Sequence, residues 1–288
     1  MHVDDIGFDE TWGHVFLDGA LKPASEAMVS AFDRGFLYGD GVYETIRVYA
    51  GKPFMLDAHL NRMALGCSVI GLTPPNAEEI ESGVQQVLDA NNLMDAYLRI
   101  TVTRGATGKL WYDLESSTPS LLIIARPYTP PDFGDGLHLI MSGFRADERS
   151  PLSGVKQIGI LPKILARSEA KSAGADDAMM LNTAGFVAEA TSSNAFWVKD
   201  GELFTPTLDC GILAGITRET ALGIAWESGM TIHEGQFALD DLLAADEVFL
   251  TSSTWEIAPV RSLGDTVFGG PGPITARIAE QYRRQIRD

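Results

Sequence analysis

The strongest constraint on how this 288-residue chain can fold is one punctuated stretch, Ala125-Arg126-Pro127-Tyr128-Thr129-Pro130-Pro131-Asp132-Phe133-Gly134-Asp135-Gly136. Proline fixes its own φ and disfavours helix in the residue before it, so closely spaced Pro and Gly do not sit inside a helix or a central strand. The stretch carries three prolines and two glycines. It breaks the chain into two blocks, each near the usual domain size of roughly 100–200 residues. We read residues 1–126 as a small N-terminal domain, 127–135 as a linker and 136–288 as a larger second domain.

On the N-terminal side, Gly13 to Asp18 and Val42 to Tyr49 have the pattern of strands, the latter turning at Ala50-Gly51-Lys52. Leu56, Leu60, Met63, Ala64 and Cys67 recur at helical spacing and predict a helix over Leu56 to Gly71, with Asp57 in its first turn. Ala77 to Leu93 predicts a second helix; Ala96 to Thr103 and Leu121 to Ala125 predict strands. Beyond the seam, strands are expected at 137–141, 178–181, 186–188, 195–198 and 247–251, and helices at 160–173, 217–228 and 274–287. Strands cluster and helices intervene irregularly, so the expected fold class is α+β rather than a doubly wound sheet.

Charge removes several function classes. With 22 Lys+Arg against 39 Asp+Glu the net charge is −17, and no basic stripe exists for a nucleic-acid partner. Total charge does not decide local charge, so a small anion held by one arginine and a helix N-terminus stays open. No apolar run reaches the ~18–20 residues of a spanning helix. The acidic start, Met1 to Thr11, is unlike a secretory leader, so a cytoplasmic protein without a membrane partner is expected. Cys67 and Cys210 cannot build a disulfide framework, and Cys67, in an apolar helical stretch, reads as core. The five histidines are scattered, so no metal site is expected.

Lysine is scarce, seven in the chain, and Lys156 lies in the apolar stretch Val155-Lys156-Gln157-Ile158-Gly159-Ile160-Leu161. Two readings are open: a surface amine, or an amine whose desolvation makes it a nucleophile able to form a Schiff base. Glu189 ends a strand against Thr191-Ser192-Ser193-Asn194 and is either a solvated carboxylate or one held at an electrophilic ring. In Gly211-Ile212-Leu213-Ala214-Gly215-Ile216-Thr217-Arg218-Glu219, Thr217 reads as a helix cap whose neighbouring N–H groups could bind an anion. Arg62, in His59-Leu60-Asn61-Arg62, is either solvated or a phosphate partner.

Taken together and in order, these blocks resemble the fold type IV pyridoxal-phosphate family, the class IV aminotransferases. That family holds D-amino acid transaminases, branched-chain aminotransferases and aminodeoxychorismate lyases. The matching blocks also include Asp33-Arg34-Gly35-Phe36-Leu37-Tyr38-Gly39-Asp40-Gly41-Val42-Tyr43-Glu44-Thr45 and Gly174-Ala175-Asp176-Asp177-Ala178. The resemblance implies a two-domain α+β fold, with a small α/β domain and a larger pseudo-barrel α/β domain. It implies pyridoxal 5′-phosphate as cofactor, held by Lys156 as a Schiff base. Glu189 would pair with the pyridine nitrogen, and Arg62, the N–H groups of Ile216 and Thr217, and Ser253 would hold the phosphate. Tyr43 matches an aromatic on the substrate side. Members are usually homodimers.

Gly159, Ile160 and Leu161 stand where the family commonly carries an Asn and branched-chain members follow it with a Tyr; an apolar residue there is closer to the D-amino acid branch. Where that branch traps the substrate carboxylate with Arg and His, this chain has Lys109 and Trp111, followed by Tyr112. Lys109 keeps the charge without the bidentate fork. The expectation is a transaminase moving the amino group of an amino acid, preferably D, to 2-oxoglutarate or pyruvate. The alternatives are an aminodeoxychorismate lyase, or a branched-chain L-amino acid or (R)-amine transaminase of the same fold.

Overall fold

The structure, a computed structural model, describes residues 13–107, 114 and 118–287. The chain divides into two compact units, one of Asp4–Thr129 with Val155–Gly159, the other chiefly of Pro130–Gly154 with Ile160–Asp288.

The first unit is an antiparallel sheet of strands β1 (His14–Leu17), β2 (Ala20–Pro23), β3 (Gly41–Tyr49), β4 (Lys52–Pro53), β5 (Ala96–Thr103) and β6 (Ser120–Pro127), in the order β2-β1-β6-β5-β3-β4. A short helix α1 (Arg34–Tyr38) leads into β3. Helices α2 (Leu56–Val69) and α3 (Ala77–Ala90) cover one face. The period of two in β5 explains why: Ala96, Leu98, Ile100 and Val102 are buried beneath the helices, while Tyr97, Arg99 and Thr101 point to the other face. From α2, Leu60, Met63 and Cys67 complete this core, and Cys67 is fully buried as expected. Helix α3 comes so close to β1 and β6 that a Cβ on Gly83 would lie 2.9 Å from the Phe16 ring and 2.8 Å from Ile123. It stops at Ala90 rather than Leu93 because the Asn91 side chain turns away to pair with both backbone groups of His14.

An ionic clasp closes this unit. Arg104, 2% exposed, donates Nε to Asp40 at 2.8 Å and its Nη atoms to the carbonyls of Gly71 and Ile70 at the end of α2. Arg34 donates to the same Asp40 oxygen at 2.7 Å. Burial raises the Asp40 carboxyl, but the bonds and charges of the two arginines outweigh it and bring it below its ordinary range.

The second unit is a nine-stranded sheet. Its strands are β7 (Leu137–Ala146), β8 (Asp177–Asn182), β9 (Val187–Ala190), β10 (Asn194–Lys199), β11 (Glu202–Pro206), β12 (Ile232–Gly235), β13 (Glu247–Ser252), β14 (Glu256–Leu263) and β15 (Thr266–Val267). Six of them close a ring, β10-β13-β14-β7-β8-β9 and back to β10. This closure is the pseudo-barrel that the resemblance implied. Inside lie Leu139, Met179, Trp197, Val248, Leu250 and Val260. Helix α4 (Leu161–Ser172) covers β7 and β8; α5 (Ile216–Glu227) and α7 (Pro273–Arg287) cover β13 and β14, and α6 (Leu239–Leu243) is short. Strand β7 runs past Met141 to Ala146 because an irregularity between Met141 and Arg145 lets pairing with β8 resume. No helix among the described residues is long and apolar enough to cross a membrane.

Replacing Arg104 by Met should lower the urea midpoint, with a loss of about 3 kcal/mol for a buried, multiply bonded charge. Amide exchange at Ile70, Gly71 and Leu72, whose N–H groups close the end of α2, should speed up in step.

Candidate active site

In the first unit the site residues gather around β3. Segment Val155–Gly159 docks on this strand: Tyr43 N–H donates to the Lys156 carbonyl at 2.9 Å, and Ile158 N–H to the Gly41 carbonyl at 3.1 Å. Gly41 is hemmed in on both sides, since a Cβ there would lie 2.4 Å from the Val102 carbonyl of β5 and 3.2 Å from the Ile158 side chain of the docked segment. The half-buried Lys156 thereby places its Nζ 4.6 Å from the centroid of the Tyr43 ring. On the same ring, at 3.9 Å, lies the guanidinium of Arg99 from β5. Register explains the second contact. Tyr43 pairs with Thr101, so Arg99, two residues along, is its diagonal neighbour on the same face.

On the opposite face of β3, Glu44 points under α2 between apolar neighbours and is fully buried. Its carboxylate accepts both Arg62 Nε, at 2.8 Å, and Arg62 Nη2, at 2.6 Å, while His59 Nδ1 lies 2.8 Å away. Burial pushes the Glu44 carboxyl up, but the bonds from His59 and Arg62 and the arginine's charge win and hold it at about 2. Burial lowers His59, further helped by the charges of Arg62 and Lys156, against the pull of Glu44. This carboxylate fixes the direction of the Arg62 fork.

In the second unit a polar row crosses three adjacent strands. Glu189 on β9 pairs in register with Asn194 on β10, which pairs with Thr251 on β13. The Glu189 carboxylate, 3% exposed, accepts Lys163 Nζ at 2.7 Å, Leu213 N–H at 3.1 Å and Asn194 Nδ2 at 3.3 Å. It is not the solvated strand-end carboxylate of the simpler reading. Asn194 also donates to the Leu213 carbonyl at 2.9 Å, and a Cβ on Gly215 would strike its side-chain oxygen at 2.1 Å. The helix start is therefore built differently from expectation. Thr217 is not the cap of α5; Gly215 is, because only glycine fits against Asn194, and no side chain caps the first turn. Ile216 and Thr217 stand in that first turn, where N–H groups have no intrahelical acceptor. Ser253 lies in the turn between β13 and β14. Lys109, with Trp111 and Tyr112, lies outside the described residues.

Taken unit by unit, the donors suit the separate parts of a phosphorylated heteroaromatic aldehyde. This unit offers an uncapped helix start, two buried hydroxyls, of Thr251 and Ser193, without a hydrogen-bond partner among the described residues, and a buried, oriented carboxylate. The other unit offers an amine beside an aromatic ring. The class IV aminotransferase family model matches residues 41–263. This chain belongs to the class IV aminotransferases. It is 38% identical, over 93% of its length and 95% of the relative's, to a Methanocaldococcus jannaschii protein bearing a branched-chain-amino-acid aminotransferase name. To a Bacillus licheniformis D-alanine aminotransferase it is 34% identical, with 94% and 96% covered. The branched-chain aminotransferase of Thermoproteus uzoniensis, solved with norvaline, superposes with a TM-score of 0.90 at 35% identity, covering 95% of this chain and 94% of that one. Class IV enzymes work with pyridoxal phosphate, and a solved relative carries pyridoxamine 5′-phosphate. The chain is thus a pyridoxal-phosphate-dependent aminotransferase of the mixed α+β, barrel-containing fold.

Nothing in the sequence marks Arg99 or Lys163. An arginine at an outward strand position and a lysine in the first turn of a helix are ordinary there; only strand register and helix packing reveal their neighbours.

Glu44→Gln should cost about 3 kcal/mol at neutral pH, as for a broken buried ion pair. Because the folded carboxyl titrates near 2 against an ordinary 4.5, its stabilisation is complete above pH 4.5 and is lost as pH falls towards 2. Unfolding measured across that window should show the wild type losing its advantage over the variant.

Proposed function

We propose that this aminotransferase moves the amino group of an amino acid to 2-oxoglutarate or pyruvate, with Lys156 as its catalytic amine. The observation that carries this reading is the docking of segment 155–159 on β3, which presents the Lys156 amine beside Tyr43. Pyridoxal phosphate, when bound, supplies an electron sink for the pair left at the substrate Cα. Lys156 would hold it by its amine and, once released, would move the proton from the substrate Cα to the cofactor carbon C4′. Glu189 would hold the proton at the ring nitrogen. Arg62, the N–H groups of Ile216 and Thr217, and the Ser253 hydroxyl would hold the phosphate, Arg62 aimed by Glu44. Tyr43 would pack on the substrate side. Two cations serve the substrate carboxylates: Lys109 the one shared by all amino acids, and Arg99 the distal one of a dicarboxylate, its fork lying on the Tyr43 ring.

A D-amino acid as donor is supported by the apolar stretch Gly159-Ile160-Leu161 and by the likeness to D-alanine aminotransferases. A branched-chain L-amino acid is the second reading, supported by the likeness to the Methanocaldococcus and Thermoproteus proteins. A homodimer accompanies either. Met28, Phe32, Phe36 and Tyr38 expose 56–79% of their surface within one short stretch, apolar area that a second copy would cover.

A half-reaction screen over D-alanine, L-leucine and an (R)-amine decides the donor; L-leucine reacting far faster than D-alanine would remove the D reading. Pyruvate release from aminodeoxychorismate without an acceptor would replace transfer by a lyase activity. Lys156→Ala should lose roughly 10²–10⁴-fold or more in the half-reaction; full activity would sink the mechanism. Lys109→Ala should raise KM for every carboxylate substrate. Arg99→Gln should raise KM for 2-oxoglutarate by about 10-fold, one charge-assisted hydrogen bond, with little change for pyruvate.

A further inference from the structure

Glu189 carries more donors than a carboxylate needs to stay in place. An ionised carboxylate offers about four lone-pair positions. Three are filled from within the second unit: Oε2 accepts Leu213 N–H at 3.1 Å and Asn194 Nδ2 at 3.3 Å, and Oε1 accepts Lys163 Nζ at 2.7 Å. One position is left for a further donor. The third of these bonds differs in kind from the other two, because it brings a full positive charge against a side chain that is 5% exposed. Lys163 reaches it from the first turn of α4, with its own side chain 34% exposed, so the cation is not itself stranded in a dry interior.

Other charged groups on the elements packed around β9 are occupied elsewhere. Arg167, one turn after Lys163 on α4, pairs with the buried Asp177 of β8 at 2.9 Å, and Glu169 takes the Ser142 hydroxyl. Lys199, at the far end of β10, pairs with Asp246. Among the described residues, Lys163 is the cation bonded to Glu189.

We propose that Lys163 is a positioning residue that sets how strongly Glu189 holds the proton of the cofactor's ring nitrogen. This rests on the reading of Glu189 as the partner of that nitrogen. A carboxylate half-neutralised by an ammonium 2.7 Å away is a weaker proton anchor than a free one, so the ring is held with its proton less firmly. Lys163 therefore sets the depth of the electron sink without touching the substrate or the reacting carbon. In the cofactor-free protein the same ammonium compensates the buried negative charge and keeps the carboxylate in its bound orientation.

The test uses holoenzyme reconstituted with pyridoxal phosphate labelled with ¹⁵N in the ring, whose chemical shift reports the proton directly as pH is varied. Lys163→Met should keep the nitrogen protonated to a pH at least one unit higher than in wild type, a tenfold change in proton affinity. Lys163→Gln, which keeps a hydrogen-bond donor without the charge, should behave like the Met variant and covers the case in which Met fails to fold. Lys163→Arg should restore the wild-type titration. In the apo-protein, both uncharged variants should melt at lower temperature than wild type, and the Arg variant should not. A wild-type ring titration in Lys163→Met and Lys163→Gln overturns the proposal. Glu189→Gln separates the two levels. If it shifts the ring nitrogen while the lysine variants do not, only the role of Lys163 fails. If Glu189→Gln leaves the nitrogen unchanged, Glu189 is not its partner and both readings fall together.

Discussion

Two backbone hydrogen bonds, from Tyr43 to the Lys156 carbonyl and from Ile158 to that of Gly41, fix the segment on which the proposed mechanism depends. They draw five residues, Val155–Gly159, into the first unit although both flanking segments belong to the second. A lysine on a free loop would sample many rotamers and directions. One whose backbone is laddered to a strand of the sheet has its Cα fixed, and only its own side-chain torsions remain to be ordered. The arrangement requires a bare backbone at Gly41, since a side chain would collide with the neighbouring strand.

Around that anchor the first unit uses the two faces of one strand for different tasks. Odd residues of β3 offer the aromatic surface of Tyr43; even residues build the core and include one charged exception, Glu44. A lone buried carboxylate would be costly, and here it is satisfied by Arg62 and His59 from α2. The second unit repeats the device with Glu189. Each buried carboxylate orients donors, and each is itself held by a cation, Arg62 with a side chain 12% exposed and Lys163 with one 34% exposed.

Much of this was legible in the sequence because the local signals agreed. Strand β5 occupies the residues its alternation predicts, and α2 begins at the predicted residue and ends two short of the predicted end. The candidate residues Lys156, Glu189 and Thr217 stood out through an apolar setting, a cluster of hydroxyls or a glycine-rich turn, whereas Arg62 drew notice as a possible phosphate partner. What escaped did so for physical reasons. Strand β14 is buried on both faces and contains Pro259, so it shows neither alternation nor the usual strand composition. Helix α1 has five residues, too few for a period. The neighbours of Arg99 and Lys163 depend on strand register and helix docking, relations between segments far apart in sequence that no window of residues contains.

The closure of the barrel has one more consequence. The bond between its first and last strands rests on a single registered pair, Glu189 with Asn194, and Asn194 also shapes the turn in front of α5. Only Thr191–Ser193 separate the two strands, so this pair forms within a local hairpin. The groups that complete it come from afar: Lys163 of α4 and the backbone of Leu213 in front of α5. A partly folded chain would therefore carry Glu189 and Asn194 side by side without the donors that orient them.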